Sequence, residues 1–270
     1  MRDALIVTAL SLVPRTWTAW WMGAVARARL SRWVTRLFVT AYGVDMSEAE
    51  HGLDAYPTLD ALFVRRLRAG ARPVDDSPDA LVSPVDAAVA WVGRTERGGF
   101  EVAPGRRLTV AALLGEDAPG EREVAVLYLS PKDYHRVHVP REGAVRRWRY
   151  VPGTLWPVFP AAVRQVEGLF ARNERVVATL DCGGAELAVV MVGAFGVGRI
   201  EAVFTDLLSN TGAAARAEAL APPMPVTRGG DLGAFHLGST VVLVAPAGAV
   251  RWEIRAGETV RLGRRIGALA

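Results

Sequence analysis

Thr240-Val241-Val242-Leu243-Val244 is a short, unbroken apolar run, and the turn-forming pair Gly238-Ser239 stands directly before it. A Val-rich run of this length opened by a turn reads as a β-strand. Six more runs of the same texture lie upstream, at 81–82, 88–92, 124–129, 176–180, 187–192 and 200–204, separated by Gly, Pro and Asp. Ahead of them the periodicity is helical. Over 1–43, Trp17, Trp20, Trp21, Ala24, Val25 and Ala28 recur at helical spacing, and over 47–68 Leu59, Leu62, Phe63 and Leu67 form one apolar face that Gly70 and Pro73 close. The Ala-, Pro- and Gly-rich stretch 206–233 reads as loop. The expected fold is therefore α+β: N-terminal amphipathic helices over 1–70, then a β-rich catalytic domain over 71–270.

Length and composition bound the function. A chain of 270 residues, half of them apolar, buries a full core. The net charge of +4 does not mark a nucleic-acid binder. Cys182 is the only cysteine, which rules out an intrachain disulfide and a Cys-based metal cluster and fits a reducing, cytoplasmic setting. The charge-free apolar runs 4–14 and 16–26 are each too short to cross a bilayer, which takes about 20 residues, so neither a spanning helix nor export is expected. Up to Gly43 the one acid, Asp3, stands against six arginines and four of the eight tryptophans. Arg29, Arg32 and Arg36 make a basic stripe opposite Leu30, Val34 and Leu37, a pattern suited to peripheral attachment at a membrane surface and also to a helical layer over the main domain.

Polar groups stand out in three places. Asp86 sits in the turn-like Ser83-Pro84-Val85-Asp86-Ala87. His135 and His138 share the segment 129–140; their spacing suits metal ligation on a helix, but Pro131 and Pro140 bound the segment and it holds no third ligand. Ser239 follows Gly238. The order Asp, His, Ser occurs in hydrolase triads, although Ser239 lacks the Gly-x-Ser-x-Gly elbow. The Gly-rich 192–198 precedes a strand rather than a helix and so is no dinucleotide loop. Spacing alone leaves a serine hydrolase using Asp86, His138 and Ser239, or a non-enzymatic membrane-surface β-domain, both open.

Together and in this order, the blocks resemble the phosphatidylserine decarboxylase family, in its bacterial membrane-associated type, over nearly the whole chain. Those that carry the likeness are Val44-Asp45-Met46, Phe63-Val64-Arg65-Arg66-Leu67 with Ala71-Arg72-Pro73-Val74-Asp75, Ser83-Pro84-Val85-Asp86, the histidine segment 130–140, Leu169-Phe170-Ala171-Arg172-Asn173-Glu174-Arg175-Val176, Val192-Gly193-Ala194 and Leu237-Gly238-Ser239-Thr240. The family has Gly where this chain has Ala87; a positive φ there would strain Ala by about 1 kcal/mol. The stretch 204–233 is also shorter than in better-known members.

The resemblance implies two reactions at one site. In the first, Ser239 attacks the Gly238 carbonyl, with His138 as base and Asp86 orienting it in a charge relay. The chain parts into 1–238 and 239–270, and Ser239 becomes a covalent pyruvoyl group, the only cofactor, with neither pyridoxal phosphate nor a metal. In the second, that group forms a Schiff base with phosphatidylserine of the membrane and releases CO₂, leaving phosphatidylethanolamine; His135 positions the substrate or donates a proton. The implied setting is the cytoplasmic face of the cell membrane, with the two fragments as each other's partners. A homo-oligomer stays open.

Overall fold

The computed structural model describes residues 32–195, 198–236 and 238–269. Five helices fall in these stretches: α1 (Arg32–Tyr42), α2 (Leu59–Phe63), α3 (Val110–Leu114), α4 (Pro160–Gln165) and α5 (Leu169–Arg172). The strands are β1 (Ala80–Val82), β2 (Ala87–Arg94), β3 (Gly99–Ala103), β4 (Arg106–Thr109), β5 (Arg122–Leu129), β6 (Arg136–His138), β7 (Gly143–Val151) and β8 (Arg175–Asp181). They continue with β9 (Glu186–Gly193), β10 (Ile200–Ala202), β11 (Arg216–Val226), β12 (Asp231–Phe235), β13 (Ser239–Pro246), β14 (Val250–Trp252), β15 (Thr259–Val260) and β16 (Arg265–Leu269). Strands dominate and the class is α+β, as expected.

Eight strands form one antiparallel sheet in the order β11-β7-β8-β9-β13-β5-β2-β15. The run that opens the sequence argument is its core: β13 bonds to β9 on one side and β5 on the other, and is buried from Ser239 to Ala245. Side chains alternate across a strand, so each face takes every second residue. Val241 and Leu243 pack with Leu127, Leu129 and Met191 on one face, beneath Val137, Ile200 and Phe235 of the smaller sheet β10-β12-β6. Val242 and Val244 pack on the other with Leu113, Val163 and Phe170 from α3, α4 and α5. Burial on both faces is why the run is continuously apolar instead of alternating.

Three expectations are corrected. The face predicted over 47–68 forms helix only over Leu59–Phe63, beyond a single turn at Leu53–Ala55, because Pro57 lacks the amide a continuous helix needs. Thr58 then starts α2 afresh, its Oγ1 accepting from the Ala61 amide. The stretch 206–233 holds β11 and the start of β12 rather than loop alone. β11 is the sheet's edge and largely exposed, so it needs no apolar alternation and tolerates Pro222, Pro223 and Pro225 where its register slips. Finally, Ala87 opens β2 and is not among the residues with positive φ, so it carries no turn strain.

The predicted interfacial helix over 1–43 lies outside the described residues except for α1. There Trp33 and Leu37 are exposed, while Phe38 and Val39 pack on a small separate core of Tyr56, Leu59, Leu62 and Phe63.

Candidate active site

The histidine segment is shaped by its own acid. The Asp133 carboxylate accepts from the Ser130 amide and hydroxyl, and the Asp133 amide returns to the Ser130 carbonyl, closing the turn before β6. Burial raises the pKa of Asp133 despite those bonds. β6 then pairs with β12 through Asp231↔His138, and the Phe235 amide donates to the His135 carbonyl. Three residues after Phe235 come Gly238 and the first residue of β13. Topology thus brings both predicted histidines into the small sheet that leads directly to Ser239.

Both rings have the same tautomer. His135 Nδ1 lies 2.9 Å from the Asp133 carbonyl oxygen and His138 Nδ1 lies 2.8 Å from that of Gly229; a carbonyl only accepts, so each Nδ1 carries the proton. Each Nε2 therefore offers a lone pair. That of His138 meets the Tyr134 hydroxyl at 3.2 Å, which donates to it. That of His135 is buried without a hydrogen-bond partner, its ring edge-on to Phe63 with centroids 4.9 Å apart. Burial lowers both pKa values, His135's to about 4, so both rings are neutral bases at neutral pH.

Ser239 is fully buried and its hydroxyl has no hydrogen-bond partner; the same is true of Thr240 beside it. Its strand partners are Leu129 and Gly193. Gly193 is held from behind: its amide donates to the Glu174 carbonyl, and the Asn173 amide group donates to its carbonyl at 2.9 Å. Gly238 has φ +42, and a Cβ there would lie 3.2 Å from the Phe195 carbonyl oxygen. Glycine alone takes that conformation readily.

Asp86 is engaged elsewhere. Its carboxylate receives Arg72 Nε at 3.0 Å and Nη2 at 2.6 Å, and the Leu262 amide at 2.8 Å. Arg72 also reaches Glu48 at 2.7 Å. The side-chain relay expected between Asp86 and His138 is thus not formed in this arrangement. The carboxylate nearest His138 is that of Asp231, 3.7 Å from Nε2. The link from the Asp86 turn to His138 runs through the backbone, the His138 amide donating to the Pro84 carbonyl at 2.9 Å. A cavity of about 280 Å³ opens beside Asp86, bordered by Arg65, Arg72, Lys132, Asp133 and Tyr134. The Arg65 guanidinium shares the Asp133 carbonyl with His135.

Tyr134, Asp231 and Arg72 were missed as site residues. Tyr134 and Arg72 stand inside blocks already quoted; Asp231 sits in the stretch read as loop, where nothing marked it.

Comparison with known proteins agrees with the geometry. The family described as phosphatidylserine decarboxylase matches residues 59–268. The chain is 44% identical over 283 residues to the phosphatidylserine decarboxylase proenzyme of Anaeromyxobacter sp. (strain K), covering 100% of both. It is 38% identical to that of Myxococcus xanthus (strain DK1622), again over 100% of both, and 43% identical to that of Halorhodospira halophila (strain DSM 244 / SL1) over 93% of this chain and 88% of that protein. These relatives lend no support to the serine-hydrolase or the non-enzymatic reading.

Proposed function

Because the chain belongs to the phosphatidylserine decarboxylase family, we propose that it is made as a proenzyme, cuts itself between Gly238 and Ser239, and converts phosphatidylserine to phosphatidylethanolamine and CO₂. The observation that carries this reading is the pair at the head of β13: a buried, unpartnered serine hydroxyl behind a glycine in the left-handed region. A hydroxyl left without a partner in a protein interior calls for a chemical explanation.

In self-cleavage the Ser239 oxygen attacks the Gly238 carbonyl carbon, the Gly238–Ser239 C–N bond breaks, and an ester forms. Loss of a proton from the Ser239 α-carbon then expels the Gly238 carboxylate. The dehydroalanine left at 239 takes up water and loses ammonia, giving the ketone. His138 Nε2 takes the hydroxyl proton, exchanging its bond to Tyr134 for one to Ser239; a positioned base of this kind is worth roughly 10²–10⁴-fold. Asp86 supports His138 through the turn whose Pro84 carbonyl holds the His138 amide, with Arg72 fixing the carboxylate. This assigns Asp86 a backbone route in place of a direct relay.

The pyruvoyl group at 239 supplies an electron sink conjugated to an amide, which serves the role that pyridoxal phosphate has in other decarboxylases. The site fits such a group: position 239 is buried, and the unpartnered His135 Nε2 gives a neutral base in the same layer. His135 Nε2 takes the proton that the substrate's ammonium must shed and returns it to the carbon that carried the carboxylate. The neighbouring cavity presents Arg65 and Lys132 beside Asp86, both signs of charge for a headgroup that carries both.

The substrate is a diacyl lipid, so the site must work at a membrane. Among the described residues no helix is long and apolar enough to cross one. The exposed Trp33 and Leu37 of α1 suit peripheral attachment beside Arg36. Denaturing electrophoresis with mass spectrometry tests the reading. Wild type should yield 1–238 and a pyruvoyl-capped 239–270, and should release CO₂ from phosphatidylserine vesicles; Ser239→Ala should stay a single inactive chain. An intact wild-type chain that turns over the lipid would sink it.

A further inference from the structure

His236 stands two residues before the bond to be cut and has no part in the chemistry above. Its ring is nonetheless held more firmly than that of either catalytic candidate. Nδ1 lies 2.8 Å from Asp60 Oδ1, and Nε2 lies 3.5 Å from Glu201 Oε2. Its backbone amide donates to the Arg199 carbonyl. Asp60 sits in the first turn of α2 and Glu201 in β10, so three segments distant in sequence close around one imidazole. The ring is buried with a carboxylate on each nitrogen, and only the imidazolium carries a proton for both. Beyond these two acids, Arg199 and Arg136 of β6 act on the Glu201 side. Burial pulls the imidazole's pKa down, but Asp60 and Glu201 together outweigh it and hold the pKa above the ordinary histidine value.

We propose that His236 is a positioning residue for self-cleavage: as an imidazolium clasped by Asp60 and Glu201, it pins the segment before the scissile bond to α2 and β10 and so presents the Gly238 carbonyl to Ser239. This rests on the processing reading given above. It makes cleavage depend on the N-terminal arm, because Asp60 reaches the loop only when α2 is docked. It also outlasts the cut, since His236 remains on the large fragment and keeps the new Gly238 carboxylate from wandering.

The test follows the rate at which the 239–270 fragment appears, by mass spectrometry, in freshly synthesised full-length chain between pH 5.5 and 9. The wild-type rate should rise as His138 becomes neutral and fall again at higher pH as His236 loses its proton. His236→Lys keeps a positive charge and should move that fall beyond the series. His236→Gln should process about tenfold more slowly at pH 7 and show no alkaline fall. Asp60→Asn should bring the fall to lower pH, a second variant that leaves the histidine in place. A Gln variant processed at the wild-type rate, or Lys and wild-type profiles that fall together, would overturn the role of His236 alone. A wild-type chain intact at every pH would overturn it together with the processing reading.

Discussion

Asp86 and Ser239 are both buried polar residues close to one small sheet, yet their surroundings are opposite. Every strong bond a carboxylate can ask for reaches Asp86, from a two-point arginine to a backbone amide. Ser239, with Thr240 and the Nε2 of His135, has nothing. Buried polar groups that are satisfied hold a fold together, whereas those left bare weaken it and persist where chemistry needs them. The first region therefore belongs to the architecture, and the second to the reaction.

The sharpest way to break that contrast is to measure both regions in one uncleavable background, Ser239→Ala. There Arg72→Met removes the partner of a buried carboxylate and should lower unfolding free energy in denaturant by about 3–5 kcal/mol. A loss under 1 kcal/mol would show that the Asp86 cluster is not structural. The next largest effect is a pH dependence. Folded His135 takes its proton near pH 4 and the unfolded chain near pH 6.5, so below 6.5 the unfolded state binds more protons. Stability should then fall by about 3 kcal/mol between pH 6.5 and 4, and His135→Gln should flatten that slope. An unchanged slope would mean that the ring finds water or a partner. The smallest effect carries the opposite sign: Thr240→Val keeps the shape and deletes an unpartnered hydroxyl, so it should be neutral or stabilising by about 1 kcal/mol. A clear loss of stability would reveal a bond at Thr240.

The sequence made the doubly buried strands legible and hid the edges. Val241 to Val244 announce themselves because both faces demand apolar side chains. β7 does not, because a register slip between Val145 and Arg147 breaks the alternation that Trp148 and Tyr150 would otherwise continue. β11 does not either, since an exposed edge with three prolines has nothing to alternate. In the site, residue types and family blocks pointed to Asp86, His135, His138 and Ser239. Which carboxylate faces which base was illegible, as it depends on where Arg72 folds back and on Asp231 arriving from β12. The bond from Asp60 to His236 spans 176 positions and leaves no local signature at all.

The placement of β13 settles what becomes of the protein once the chain is severed. The piece from 239 onward supplies an inner strand and an outer strand to the eight-stranded sheet, β13 and β15, and two of the three strands of another, β14 and β16. It is woven through the large fragment like a thread through cloth, not resting against it like a second subunit. Separation would mean unravelling both sheets, so the two polypeptides should behave on dilution as one molecule, with no exchange of small fragments between copies.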